Sequence, residues 1–586
     1  MKTKLLISLL LIGALFQANA QTVLLEMKSR PADFEYLSAP DSLGVRHQLK
    51  MPKVDNKKAV VSQTKLPYPI IFIHGLNSGA ATWNTFTDFM DSNYLLSYGG
   101  RFDISLNDDN DLFNANLNIW PNPAVGADIA FYQSTLNNDS DYYYVNFAVN
   151  NNGIYDQACT NLSNQSAIAK QGKALQRVIK EVRLLTGRDK VILMGHSMGG
   201  LAAREYLQNP GNWQLDGQHH VAKLVTTGTP HGGSNATATF LGSLFTNINE
   251  RSEAIRDLRT SYTYSTNNGV YLFGGIESNN VMDDSLLGPF YNIDVNCNGI
   301  TGENIIGLNG KTPQFNLDYS CIIGTGVNVG NTDGVVFTNN ANINNISTFN
   351  PAYSNLTQNI FYCPVIHTNL PSQIYKNIQG LDEPYQYNLA YGVDYDKLYV
   401  GFISEQATNA PFVADFDEYK FIVSNNSLIN LVVNNGLAFP IYARILNSSL
   451  SQVGSIFTVN NGNNIFSQNL PVGQYFLEIY GAPTSNSYQT PYAFGITSTL
   501  SNEDFVSDNS FTIYPNPTTS AVFFDNAKLG FTEVQVFNYL GQEVAREQLS
   551  GALANQELNL SSLSAGVYVL KFHNGTSTAT AKVVKQ

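Results

Sequence analysis

Gly195-His196-Ser197-Met198-Gly199 places a hydroxyl between two glycines in the spacing G-x-S-x-G. A serine hydroxyl is a poor nucleophile until a base takes its proton. The segment therefore implies chemistry only if an imidazole, held by a carboxylate, can reach it. That chemistry would be acyl transfer through an acyl-serine. The pattern alone is weak, and its surroundings strengthen it. It follows the apolar run "KVILMG" and opens "HSMGGLAAREYL", so a strand turns sharply into a helix at the serine. The glycines allow helix and strand backbones to approach closely. The turn lifts Ser197 Oγ above the sheet edge, and the helix N-terminus behind it favours negative charge.

The base follows by elimination among eight histidines. In a strand–turn–helix hydrolase the chain order is serine, acid, histidine. His47, His74 and His196 precede the serine, and His219 and His220 lie on the connection to the next strand. His231 follows that strand too closely to leave room for an acid, and His573 belongs to the far terminus. His367, in "YCPVIHTNLPS", remains. Asp333, in "GNTDGVV", is the candidate acid, on a polar turn expected to lead into an apolar strand. Its rivals are Asp257, Asp283, Asp284, Asp294 and Asp318. The oxyanion formed on attack needs two backbone donors. These are assigned to the N–H of Met198, after the nucleophile, and of Leu76, in "FIHGLNSGAATW". His74 is read as bracing that loop rather than reacting.

Positioning these groups requires a particular set of elements. From about residue 66, apolar strands ("YPIIFIHG", "KVILMG", "AKLVTTGTP") alternate with helices. One helix carries Ile168, Leu175, Val178, Ile179, Val182 and Leu185 on a single face and stops at Gly187. This predicts an α/β fold, a mostly parallel sheet with helices on both faces. Near residue 382 the texture changes to short alternating strands with Asn- and Gly-rich turns, as in "PVGQYFLEIYG", which predicts a β-sandwich. A third, all-β segment starts near "FTIYPNPTTS". The expected organisation is 1–20 signal peptide, 21–64 extension, 65–380 α/β-hydrolase domain, 381–500 β-sandwich and 508–586 terminal domain.

The chain has 586 residues, a formal charge of −13 and only 13% charged residues. Acidic balance argues against nucleic acid, whose phosphates need a basic face. Lys2 and Lys4, the apolar run Leu5 to Phe16, and Ala18-x-Ala20 read as an export signal cut before Gln21. Four cysteines, Cys159, Cys297, Cys321 and Cys363, suggest disulfides in an exported chain.

As a set, "FIHGLNS", "GHSMGG", "GTPHGGS", "TDGVV" and "VIHTNLPS" resemble the secreted lipases of the α/β-hydrolase fold over residues 65 to 380. That resemblance implies cleavage of carboxylic esters, including acylglycerols, with Ser197, Asp333 and His367 as triad and Leu76 and Met198 as oxyanion donors. Lipid–water interfaces then become expected partners. A short-chain or polymer esterase, an acyltransferase or a serine peptidase would use the same triad, and a non-catalytic surface adhesin is the reading from another class. Residues 234–290, with "ATATFLGSLFTNI", would form a lid or a packed insert. The last segment resembles the C-terminal sorting domain of type IX secretion in Bacteroidetes, which implies passage through the outer membrane. The middle segment is similar to pre-peptidase sandwiches of secreted enzymes.

The chemistry requires no cofactor. Some bacterial relatives hold calcium beside the histidine loop through an Asp after the His. Here Thr368 and Asn369 follow. "DVNCNGITGE" offers Asp294, Asn296, Asn298 and Glu303 as calcium candidates but has Ile305 at loop position 12. A polar surface turn is the simpler expectation there.

Overall fold

The computed structural model describes strands 22–26 and 46–50 and, from residue 65, all but 105, 107–135, 149–161, 236–247, 250, 261–267, 279–282, 285–287, 290–291, 327–330, 350–358, 385, 405–414, 483–486, 501–512, 528, 539–541 and 575–577. The signal-peptide segment, Cys159 and the centre of the expected lid lie outside the described residues. The chain divides into two compact units, Met1–Ser424 with Ile429–Ser498, and Asn425–Leu428 with Thr499–Gln586.

In the first unit, seven strands form a parallel sheet, the inner ones richest in apolar residues: β1 (Ile70–Ile73), β2 (Tyr98–Asp103), β3 (Tyr142–Asn146), β4 (Val191–His196), β5 (Val221–Thr227), β6 (Asp318–Gly324) and β7 (Ile360–Cys363). Their order is β7-β6-β5-β4-β1-β3-β2, and every pair is parallel. Side chains alternate faces with period two. Ile71 and Ile73 of β1 enter one core with α2 (Ile168–Thr186) and α3 (Met198–Gln208). Ile70 and Phe72 enter the other with α1 (Asn84–Tyr94) and α5 (Ile374–Leu381). The helix expected to end at Gly187 does so, with Gly187 at φ +66° and its N–H on the Arg183 carbonyl. A short helix, α4 (Glu253–Leu258), lies in the insert between β5 and β6.

The second core does not stop at the sheet. It continues from Tyr68 and Phe72 through Tyr391 and Tyr399 into the sandwich. The sandwich pairs β8 (Tyr391–Gly392), β10 (Phe416–Val423), β15 (Gly473–Tyr480), β12 (Ile441–Asn447) and β13 (Gln452–Val459) in one sheet. It pairs β9 (Leu398–Ile403), β16 (Ser487–Leu500), β11 (Ser427–Asn435) and β14 (Gly462–Leu470) in the other. Polar ties reinforce the junction. Arg188 reaches Asp394 Oδ2 at 2.6 Å and the Tyr399 hydroxyl at 2.9 Å, and the Gly392 N–H donates to Tyr68 Oη at 2.9 Å.

The second unit holds a three-stranded and a four-stranded sheet built from β17 (Ile513–Tyr514), β18 (Ala521–Phe524), β19 (Glu533–Asn538), β20 (Glu543–Gln548), β21 (Gln556–Asn559), β22 (Gly566–His573) and β23 (Thr578–Lys585), closed over Val522, Phe524, Val536, Leu570 and Phe572.

Two expectations need correction. Cys297, Cys321 and Cys363 are buried free thiols, so no disulfide joins them. Cys321 and Cys363 sit on adjacent strands, but Cys363 is paired with Gly324, three residues from Cys321. An odd offset puts their side chains on opposite faces of the sheet. After Asp333 the chain forms turns and a short helix, Thr338–Ala341, instead of a strand.

Candidate active site

The sheet order reverses at β1. The chain runs outward from it to β2, returns through β3, then crosses to β4 on the other side. The carboxyl ends of β1 and β4 therefore flank a switch-point crevice, where α/β sheets place their ligands. Leu76 follows β1 and Ser197 follows β4.

Ser197 has φ +53° and ψ −127°, a conformation that a residue with a side chain adopts only under constraint. The constraint comes from both sides. Its N–H donates to the Thr227 carbonyl at 2.9 Å, and helix α3 starts at the next residue. Two glycines make the turn possible. A Cβ on Gly195 would lie 2.5 Å from the Gly200 nitrogen, and one on Gly199 would lie 2.5 Å from the His74 carbonyl oxygen. Both obstacles are backbone atoms. The second contact brings the start of α3 against the loop after β1. Among the described residues neither the Leu76 nor the Met198 N–H is taken by another acceptor. Met198 is the first residue of its helix, where no intrahelical carbonyl is available.

The loop after β1 is braced by His74, as expected. Its Nε2 accepts the Phe147 N–H at 2.9 Å, which leaves Nδ1–H to donate to the Gly75 carbonyl at 2.8 Å. Burial lowers its pKa to about 4, so the ring stays neutral. A peptide's C=O and N–H point opposite ways. Tethering the Gly75 carbonyl to His74 therefore turns the Leu76 N–H in the opposite direction.

His367 lies in a 3-10 turn, His367–Ser372, shortly after β7. Its Nδ1 is 2.7 Å from Asp333 Oδ2, and its backbone N–H donates to the Asp333 carbonyl at 2.9 Å. The other Asp333 oxygen, Oδ1, accepts the N–H groups of Val335 (2.9 Å) and Val336 (2.7 Å). Asp333 is buried, so every lone pair it commits is a real constraint. Ser197 and His367 line one cavity of about 120 Å³, with Leu76 at its edge and Ile255, Leu258 and Val335 among its apolar walls.

Three of the rival acids are occupied elsewhere. Asp257 accepts the N–H of Ile168 at the start of α2 and pairs with Arg256 at 2.8 Å. Asp318 begins β6 and pairs with Lys223 at 2.7 Å. Asp294 accepts the N–H groups of Asn298 and Gly299 from its own turn. The side chains of Asp283 and Asp284 lie outside the described residues. The Asp294 loop is a self-satisfied turn: Asn296 Oδ1 and Asn298 Oδ1 accept the N–H groups of Asn298 and Ile300, and both side-chain amides donate to Glu303. Thr368 and Asn369 continue the 3-10 turn after His367 and supply no carboxylate.

One residue of the site escaped the sequence reading. His196 was set aside because it precedes the nucleophile. Its ring lies 4.8 Å from that of His367, centroid to centroid, and its Nε2 is 3.1 Å from the His367 carbonyl oxygen. It also borders the cavity. Burial, then the neighbouring His367, holds its pKa well below the usual range, so the neutral ring donates to that carbonyl. Only a contact map joins residues 196 and 367; no local pattern signals it.

Residues 67–287 match the PGAP1-like alpha/beta domain model, and residues 512–586 match the secretion system C-terminal sorting domain. The sheet segment has the α/β-hydrolase fold. The terminal segment is a type IX sorting domain, which marks the chain for export to the surface or the medium and implies contact with the secretion machinery. No curated protein matches the chain. Among solved structures it is similar to a Bacillus licheniformis lipase in propeptide form (13% identity, 89% of this chain and 94% of that one, TM-score 0.28). It is also similar to an extracellular alpha/beta-hydrolase from Paenibacillus (11%, 54% and 97%, 0.24). A third likeness is to the pre-peptidase C-terminal domain of collagenase from Bacillus anthracis (15%, 20% and 99%, 0.16).

Proposed function

We propose that the chain is an exported carboxylic ester hydrolase in which Ser197 is the nucleophile, His367 the general base, Asp333 its orienting acid, and the Leu76 and Met198 amides the oxyanion donors. The observation that carries this reading is a single cavity bordered by Ser197 and His367, with Asp333 2.7 Å behind the imidazole. His367 Nε2 takes the Oγ proton as Oγ bonds to the ester carbonyl carbon. The carbonyl oxygen becomes negative and rests on two N–H groups, each worth about 3 kcal/mol in the transition state. The imidazolium then gives its proton to the departing alkoxide. A water, deprotonated by the same ring, attacks the acyl-serine, releases the acid and restores the enzyme.

Acylglycerols are the proposed substrates, because Ile255, Leu258 and Val335 offer an apolar wall to an acyl chain. Within p-nitrophenyl esters, kcat/KM should rise about fourfold for each methylene the wall buries, from roughly 0.8 kcal/mol per CH₂. Assays across the solubility limit decide between lipase and esterase. A jump in rate above the limit supports acylglycerol substrates, and a smooth saturation curve leaves a soluble ester as substrate.

His74 gives a second test. His74→Ala frees the Gly75 carbonyl and lets the Leu76 amide swing. We expect kcat to fall about 10- to 100-fold with little change in KM, short of the full loss of a donor. An unchanged kcat would remove Leu76 from the oxyanion site.

A further inference from the structure

A group of carboxylates outside the candidate triad gathers at the junction of sheet and sandwich with little counter-charge. Asp382 caps the end of α5, and Asp415 and Asp417 lead into and begin β10. Each can place one carboxylate oxygen so that all three lie within 4.8 Å of one another. Asp417 is fully buried, and its Oδ1 has no hydrogen-bond partner. Asp382 Oδ1 and Oε2 of the adjoining Glu383 are also buried and unpartnered. Three further oxygens are held in place: Ser404 Oγ donates to Asp382 Oδ2 at 2.7 Å, the Ser404 N–H to Asp415 Oδ2 at 2.6 Å, and the Tyr492 hydroxyl to Asp417 Oδ2 at 2.5 Å. Lys223, the cation beside the group, offsets it only in part. Its Nζ forms an ion pair with Asp318 Oδ2 at 2.7 Å and donates to the main-chain carbonyl of Asp382 at 2.5 Å.

A buried carboxylate left unpaired costs several kcal/mol. The donor set is oxygen only, with no imidazole or thiolate, which selects a hard cation. Two oxygens 4.8 Å apart lie 2.4 Å from their midpoint, the Ca²⁺–oxygen distance, and three share such a centre once their separations close to about 4.2 Å. Asp382 is only half-buried, which leaves a way in. We propose that Asp382, Asp415 and Asp417 bind a divalent cation, Ca²⁺ in the exported protein, which ties the last helix of the α/β part to the first long strand of the sandwich. Shared protons between the carboxyls are the competing means of neutralising the cluster.

The test uses the full exported chain. Metal analysis after dialysis against Ca²⁺ should give an ion that the Asp415→Asn/Asp417→Asn double variant lacks. Chelation with EDTA should lower the Tm of the unaltered chain by about 5–10 °C, and Ca²⁺ should restore it better than Mg²⁺. The exposed-loop variant Asn298→Ala controls for the Asp294 turn and does not depend on altering the cluster. If the EDTA shift persists in Asn298→Ala, the junction holds the ion. If the shift vanishes there, the ion belongs to the loop and the proposal fails. It fails equally if EDTA leaves the unaltered chain's Tm unchanged, which would mean the carboxyls share protons.

Discussion

Replacing Ser197 with alanine should lower ester hydrolysis by at least about 10⁴-fold and leave the fold intact. The reason for the intact fold is local. Alanine keeps the Cβ, and the φ of +53° is imposed by the Thr227 hydrogen bond and the start of α3, not by the hydroxyl. The strain is therefore the same in both proteins, and Tm should move by no more than about 2 °C. What disappears is the atom that forms the acyl bond. The oxyanion donors remain and will support a small residual rate over water. A fluorophosphonate probe should label the unaltered protein and not the variant. Full activity and labelling in Ser197→Ala would end the hydrolase assignment, and so would an unlabelled, inactive parent chain.

The second large effect is expected at Asp333. Asp333→Asn is nearly isosteric, yet it should cost about 10⁴ in kcat with KM little changed. Two backbone N–H groups, from Val335 and Val336, point at Oδ1. They would repel an NH₂ group, so the asparagine oxygen must sit there. Its NH₂ then faces His367 Nδ1, which lies 2.7 Å away in the parent chain. The ring must accept at Nδ1 and carry its proton on Nε2, the nitrogen that should receive the Ser197 proton. The wrong tautomer would be held in an otherwise correct site. Measuring kcat and KM separately checks this, since a folding defect would lower the active fraction and slow probe labelling in proportion. A variant within tenfold of the parent would show that Asp333 does not orient the base.

Much of this site was legible in the residues because its constraints are local. The elbow needs glycines on both sides of the serine, and chain order leaves few histidines and aspartates to consider. Apolar runs alternating with one long helical face announce a parallel sheet, since only a strand covered on both sides is apolar at every position. The helix end at Gly187 was legible for the same reason: a left-handed terminus favours glycine.

Other features depend on which distant segments meet. The run after Asp333 is apolar enough for a strand, yet its amides turn back to clamp a carboxylate. Even cysteine number suggested disulfides, but the register of β6 and β7 turns Cys321 and Cys363 to opposite faces. His196 and His367 are 171 residues apart, and only the adjacency of their strand ends joins them. The calcium-like spacing around Asp294 forms a turn whose side-chain oxygens accept its own backbone amides. The carboxylates with little counter-charge instead come from Asp382, Asp415 and Asp417, which share no motif. Residue types and spacing thus determined the chemistry available and the sheet that carries it, because both rest on backbone geometry within a few residues. The sharing of one core by sheet and sandwich, and the carboxylates gathered there, was decided only by tertiary packing, because desolvation depends on what lies nearby in space and not along the chain.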